Sequence, residues 1–152
     1  MRIDAAMTRE VIWIEPTDDL VLAHGLMTGL GIRHLPVIEN GRIAGILSDR
    51  DIRSFSSVKD GFLSVPDLLV SEAMTRDLIT CPLTASVSDV GEKMLQNKID
   101  CVPILSSDGT LAGLVTSSDL IQLLIDREES ASKRIPFEFK LLEGSKLQVR
   151  SA

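Results

Sequence analysis

An internal duplication constrains this chain more than any other feature. Met7-Thr8-Arg9 returns as Met74-Thr75-Arg76, and Arg33-His34-Leu35-Pro36-Val37-Ile38 is answered by Asp100-Cys101-Val102-Pro103-Ile104-Leu105. Further on, Gly45-Ile46-Leu47-Ser48-Asp49-Arg50-Asp51-Ile52 is matched by Gly113-Leu114-Val115-Thr116-Ser117-Ser118-Asp119-Leu120, after one residue inserted near Asp108 where a turn absorbs it. A unit of about 60 residues is longer than most solenoid repeats and short for an independent domain. Two such units are expected to share a core, with any site lying where they meet.

Within the first unit, Val11 to Ile14 reads as a short strand closed by Glu15-Pro16, and Thr17 or Asp18 as the cap of a helix. Ala23, Leu26, Met27 and Leu30 fall on one face of that helix, which Gly29 and Gly31 end. His34 to Ile38 and Arg42 to Leu47 read as strands joined through Asn40-Gly41, a pair suited to the positive backbone dihedrals of a tight hairpin. A second helix starts near Ser48. The second unit repeats the order: a strand at Leu78 to Cys81, a helix carrying Val87, Val90, Gly91 and Met94, strands at Val102 to Leu105 and Thr110 to Val115, and a helix from Thr116. The fold class expected is α/β (α+β), two repeats of strand-helix-strand-strand-helix. The first unit spans residues 7–57, a linker 58–73, the second unit 74–126 and a C-terminal extension 127–152.

Hydrophobic residues make up 44% of the 152, enough for a buried core, yet aromatic residues are only 3%, so aliphatic side chains must fill it. Few aromatics disfavour base-stacking platforms, and a net charge of −6 disfavours a phosphate-backbone surface, so nucleic acid is not an expected partner. Cys81 and Cys101 fit no metal-ligand spacing and read as small buried side chains. Met1 to Glu10 lacks the apolar core of a signal peptide, and nothing approaches the ~20 apolar residues of a membrane span. A cytoplasmic protein without membrane contact is expected.

With its paired Ile32-Arg33-His34-Leu35-Pro36-Val37 and Gly45-Ile46-Leu47-Ser48-Asp49-Arg50-Asp51-Ile52 strings, the chain resembles a tandem pair of cystathionine-beta-synthase (CBS) domains, the Bateman module, over residues 7 to about 126. The resemblance implies a pseudo-twofold pair of packed sheets with two clefts for adenosine-containing ligands. It further implies a homodimer, and a sensor that alters the activity of an attached or associated protein. With no catalytic domain in the sequence, the expectation is a stand-alone regulatory module acting on an unidentified regulated protein. The ligand expected is AMP, ADP or ATP, with S-adenosylmethionine, NAD or a cyclic dinucleotide also open. No cofactor is required.

Ser48-x-x-Asp51 and Thr116-x-x-Asp119 each stand where a strand hands over to a helix. One explanation is capping alone, hydroxyl and carboxylate satisfying backbone amides reciprocally. The other, which the resemblance favours, is that the aspartate accepts from ribose hydroxyls while the helix start attracts phosphate. By the same resemblance Arg33 and His34 meet phosphate, Arg33 bidentately and His34 by gaining charge near neutral pH. Asp100 and Cys101 replace them in the second unit, so the two clefts are expected to differ in ligand. Arg50 and Arg53 flank Asp51, whereas Ser118 and Gln122 flank Asp119. The adenine walls implied are Ile12, Trp13, Ile14, Leu35 and Pro36 in one unit and Ile79, Thr80, Cys81, Val102 and Pro103 in the other. Trp13 could stack on a base, but a sole Trp in a strand is more often a packing anchor, and nothing is claimed for His24.

An enzyme would need a nucleophile with its base, a metal cluster or paired carboxylates in one cleft, and two histidines and two unpaired cysteines supply none of these. No catalytic residue and no metal ligand is expected. The alternative to a ligand sensor is a structural dimerisation module with vestigial clefts.

Overall fold

In the computed structural model, which describes residues 1–132, the two units do not lie end to end but exchange their leading segments. The first unit holds α1 (Leu20–Leu30), β1 (His34–Glu39), β2 (Arg42–Ser48) and α2 (Asp49–Phe55). A hairpin of β3 (Ser57–Lys59) and β4 (Phe62–Ser64) follows, then the short helix α3 (Val70–Ala73). The second unit holds β5 (Cys81–Pro82), α4 (Val87–Asn97), β6 (Cys101–Leu105), β7 (Leu111–Thr116) and α5 (Ser117–Ser132). The extension beyond residue 132 lies outside the described residues.

Local chemistry explains the elements. In α1 the N-cap is Asp19, whose Oδ1 accepts from the Leu22 amide at 2.6 Å, rather than Thr17 or Asp18. Asp18 instead closes the preceding turn, accepting from the Glu15 amide at 2.8 Å. Leu20, Ala23 and Met27 bury the inner face of α1, Leu26 packs at its margin, and Leu30, expected on that face, is exposed. Gly31 ends the helix at φ 66°. The β1–β2 hairpin turns through Asn40 at φ 51° and Gly41 at φ 75°, the left-handed pair expected of Asn-Gly.

The strands expected at Val11 to Ile14 and Leu78 to Cys81 shrink to one ladder position and two residues. Ile14 bridges Val37 in parallel, and β5 pairs in parallel with β6. Pro16 lacks the amide that would continue the first ladder toward Ile38; the second runs through Pro82 to the Leu83 amide, which donates to the Leu105 carbonyl at 2.9 Å. The segment read as a linker, 58–73, carries structure: an exposed hairpin, then α3, which drives Val70 and Ala73 into the first core.

That core gathers Ile14, Leu20, Leu35, Val37, Leu47 and Ile52 with Val70, Ala73 and Met74. The second gathers Cys81, Val90, Val102, Ile104 and Val115 with Ile3 and Met7 from the start of the chain. Each fully buried aliphatic side chain contributes about 1.5–3 kcal/mol, so a handful of exchanged residues weighs heavily against a marginal total stability. Thr75 bridges Ile46 of β2 with hydrogen bonds of 2.8 and 3.0 Å, and Thr8 bridges Leu114 of β7 with 2.9 and 3.0 Å. A third cluster, Ile46, Cys101 and Leu114 with Val11 and Leu78 against it, lies between the units.

The repeated glycines are what permit the exchange. A Cβ at Gly45 would stand 2.7 Å from Met74 Sδ and 2.9 Å from the Thr75 carbonyl oxygen. At Gly113 it would stand 2.5 Å from both Met7 Cγ and the Thr8 carbonyl oxygen. The two strongest repeated strings, Met-Thr-Arg and the glycine-led strand, thus touch one another across the units.

Candidate functional site

Two cavities open where the units meet, of about 220 Å³ and about 330 Å³. The exchange determines which residues share a cavity. In the smaller, Ser48, Arg50 and Asp51 of the first unit face Thr75, Leu78 and Ile79 from the segment leading the second. In the larger, Thr116, Ser118 and Asp119 of the second unit face Thr8, Val11 and Ile12 from the segment leading the first. Arg33, His34 and Asp100 stand on the wall common to both.

The two aspartates have matching geometry. Asp51 Oδ2 accepts from the Ser48 amide and from Ser48 Oγ, both at 2.7 Å, while the Asp51 amide donates to Ser48 Oγ at 3.1 Å. Asp119 Oδ2 accepts from the Thr116 amide and Oγ1 at 2.7 Å each, and its amide donates back at 3.3 Å. Capping is therefore real at both positions. It occupies one carboxylate oxygen; Oδ1 of each aspartate accepts no hydrogen bond among the described residues, and both side chains are half-buried on a cavity wall. A second Ser-x-x-Asp box, Ser86 and Asp89, caps α4 away from either cavity and marks what capping alone looks like.

The common wall is charged. Arg33 Nε lies 3.6 Å from Asp49 Oδ2, which Arg53 Nη2 also approaches at 3.5 Å. Arg50 Nη2 lies 4.0 Å from Asp100 Oδ2, linking the units. Burial, and then the Arg33 guanidinium, hold the His34 pKa below its ordinary 6.5, so His34 is neutral at pH 7 rather than gaining the charge expected of it. The Cys101 thiol is pushed up to about 12 by burial, reinforced by the Asp119 and Asp100 carboxylates, which makes it inert. Cys81 is likewise buried and raised, chiefly by desolvation. Among the described residues, no three His, Cys, Asp or Glu side chains are grouped to hold a metal ion, and no helix is long and apolar enough to cross a membrane.

Of the positions read from sequence, Ile12, Arg33, His34, Ser48, Arg50, Asp51, Ile79, Thr116 and Asp119 line cavities. The rest of the implied adenine walls do not. Ile14, Leu35, Cys81 and Val102 point into the unit cores, because strand side chains alternate and these take the inward positions. Pro36 and Pro103 are buried in the central strands without lining either cavity. Thr80 presents its carbonyl to Lys93 Nζ at 3.0 Å, and Trp13 is half-exposed beside neither cavity. The pairing also differs: Ile79 sits with Asp51, and Ile12 with Asp119. Thr8, Glu10, Thr75, Asp77 and Lys98 join the walls without having been anticipated. For Thr8 and Thr75 the signal was the Met-Thr-Arg repeat, of which they are the second residues.

A pair of repeats that exchange the segments preceding their first strands and leave two clefts, each with an aspartate at a helix start, defines a class of paired modules. The CBS domain model matches residues 3–57 and 70–126, and the chain belongs to that family. Each match takes in the residues that precede Met-Thr-Arg and pack into the opposite core. The CBS domain-containing protein YhcV of Bacillus subtilis is 31% identical over 128 residues, 83% of this chain and 87% of that protein. The inosine-5'-monophosphate dehydrogenase of Thermoplasma acidophilum is 32% identical over 120 residues, 79% of this chain, but the chain spans only 23% of that enzyme. The crystal structure of CBSX2 in complex with AMP superposes with a TM-score of 0.75 at 19% identity, covering 84% of this chain and 99% of that one.

Proposed function

We propose that this chain is a regulatory ligand-binding module whose two clefts take an adenosine-containing ligand, and whose occupancy is read by a partner protein. The observation that carries the reading is the half-committed aspartate on each cavity wall: Oδ2 holds the helix cap and Oδ1 accepts no hydrogen bond among the described residues, which leaves it for a ribose hydroxyl. The AMP in the CBSX2 complex supports the ligand class. AMP, ADP and ATP fit the smaller cleft best, where Arg50 and Lys98 stand near Asp51. Because α2 spans seven residues, attraction for phosphate there rests on these side chains more than on a helix dipole. S-adenosylmethionine and NAD remain within the class.

Signalling follows from the exchange. A ligand touching Asp51 and Ile79 at once bridges two units, and so favours one relative arrangement of them. The module is further proposed to act as a homodimer, since Leu95 of α4 and Ile121 and Leu124 of α5 are apolar and exposed. No catalytic role is assigned to any residue.

Thermal unfolding with and without AMP tests the function. At about 100 times its dissociation constant the ligand should stabilise the fold by about 2.7 kcal/mol. Asp51→Ala should lose that shift, and Asp89→Ala, which alters only a cap remote from the clefts, should keep it. No shift with any adenine nucleotide would return the chain to a purely structural dimerisation module.

A further inference from the structure

The two units place opposite charges at one equivalent position, and this separates the clefts. In the first, the Arg33 carbonyl accepts from the Asp49 amide at 3.0 Å, and the two side chains pair at 3.6 Å. In the second, the Asp100 carbonyl accepts from the Ser117 amide, again at 3.0 Å, and Ser117 Oγ donates to Asp100 Oδ1 at 3.3 Å. The backbone frame is the same. Where the first unit offers a guanidinium, the second sets a carboxylate of its own at the start of α5, on the wall of the cavity that Asp119 also lines.

The remaining charges agree. The Asp51 cleft owns Arg50 and Lys98 against Asp77; its Asp49 is neutralised by Arg33 and Arg53, and the Asp100 it shares with the other cleft pairs with Arg50 at 4.0 Å. The Asp119 cleft owns no cation beyond the shared Arg33, which is engaged with Asp49, and adds Glu10.

We propose that the clefts divide adenosine ligands by charge. The Asp51 cleft takes a phosphorylated one, and the Asp119 cleft takes one whose ribose 5′ substituent is neutral or cationic, with Asp100 and Glu10 as the residues that exclude phosphate. The proposal rests on the adenosine-binding reading and adds a ligand class for each cleft. A carboxylate facing phosphate at close range in a half-desolvated cavity disfavours binding, and the exclusion is lost when the charge is removed.

Calorimetric titration of the full chain tests it, with AMP and adenosine as probes. The wild type should take one AMP per chain, abolished by Asp51→Ala. The AMP-saturated protein should then take one adenosine, abolished by Asp119→Ala. Asp100→Asn combined with Glu10→Gln should admit a second AMP, at least tenfold tighter than any second AMP event in the wild type; both positions are solvent-accessible, and Asp100→Asn alone should give part of the gain. Two AMP sites of similar affinity in the wild type, or a double variant that still takes one, would overturn the division by charge while leaving adenosine binding intact. Absence of binding by either probe would overturn both.

Discussion

On the proposed function, the Asp51 oxygen that accepts no hydrogen bond among the described residues would separate recognition from capping at a single residue. Asp51→Ala removes both the cap and the ribose acceptor, so stability should fall by about 1 kcal/mol while affinity for AMP falls at least tenfold. Chemical denaturation and calorimetry on one preparation measure the two losses, and a variant that loses stability but binds normally would reduce Asp51 to a helix cap. His34 makes a prediction of a different kind. Its pKa in the folded chain lies below the roughly 6.5 of an unfolded chain, so between those values the unfolded state binds more protons. The stability linked to His34 is therefore complete above about pH 6.5 and declines as pH falls toward the folded-state pKa. Urea midpoints should drop more between pH 8 and pH 5.5 in the wild type than in His34→Gln; equal drops would show that the imidazole is not desolvated.

Among the elements, the exchanged segments govern stability out of proportion to their length. Gly113→Ala would press a methyl group onto the Thr8 carbonyl at 2.5 Å, a backbone atom that yields only if the whole segment shifts. A loss of about 1–3 kcal/mol is expected. Gly25, inside α1 with nothing within 4 Å of an added Cβ, is the opposite case, and Gly25→Ala should gain about 0.5–1 kcal/mol. Shifts of the denaturation midpoint in the same direction for both would contradict the packing described. The helices and hairpins were legible in the sequence because their signals are local: Asn40-Gly41 for a turn, Ser48 and Asp51 for a capping box, apolar periodicity for α1 and α4. The short strands near Ile14 and Cys81 were overestimated; near Ile14, an apolar run does not reveal that Pro16 ends the ladder. The structure between residues 57 and 73 left no periodic trace, and α3 becomes visible only when Val70-x-x-Ala73-Met74 is set beside Ile3-x-x-Ala6-Met7.

For the molecule as a whole, duplication foretold a site between the units and the family resemblance implied two clefts there, and the aspartates stand at helix starts where the repeated strings placed them. What the sequence could not convey was the crosswise assembly. A reading by unit puts Ile12 with Asp51, whereas the exchange of leading segments puts Ile79 there and sends Ile12 to Asp119. Long-range partnership of this kind depends on which side chains a glycine lets approach, a property of pairs of positions rather than of either one. On the proposed function the crosswise cleft would also be the physical basis for sensing, because a ligand held by one unit alone would have no differential grip on their arrangement. The most direct test is an amide-shift titration of the isotope-labelled chain with AMP. The account predicts coincident perturbation of residues 48–51 and 75–79, two stretches from different units, saturating at one concentration. Perturbation confined to one unit, or none in either stretch, would contradict it.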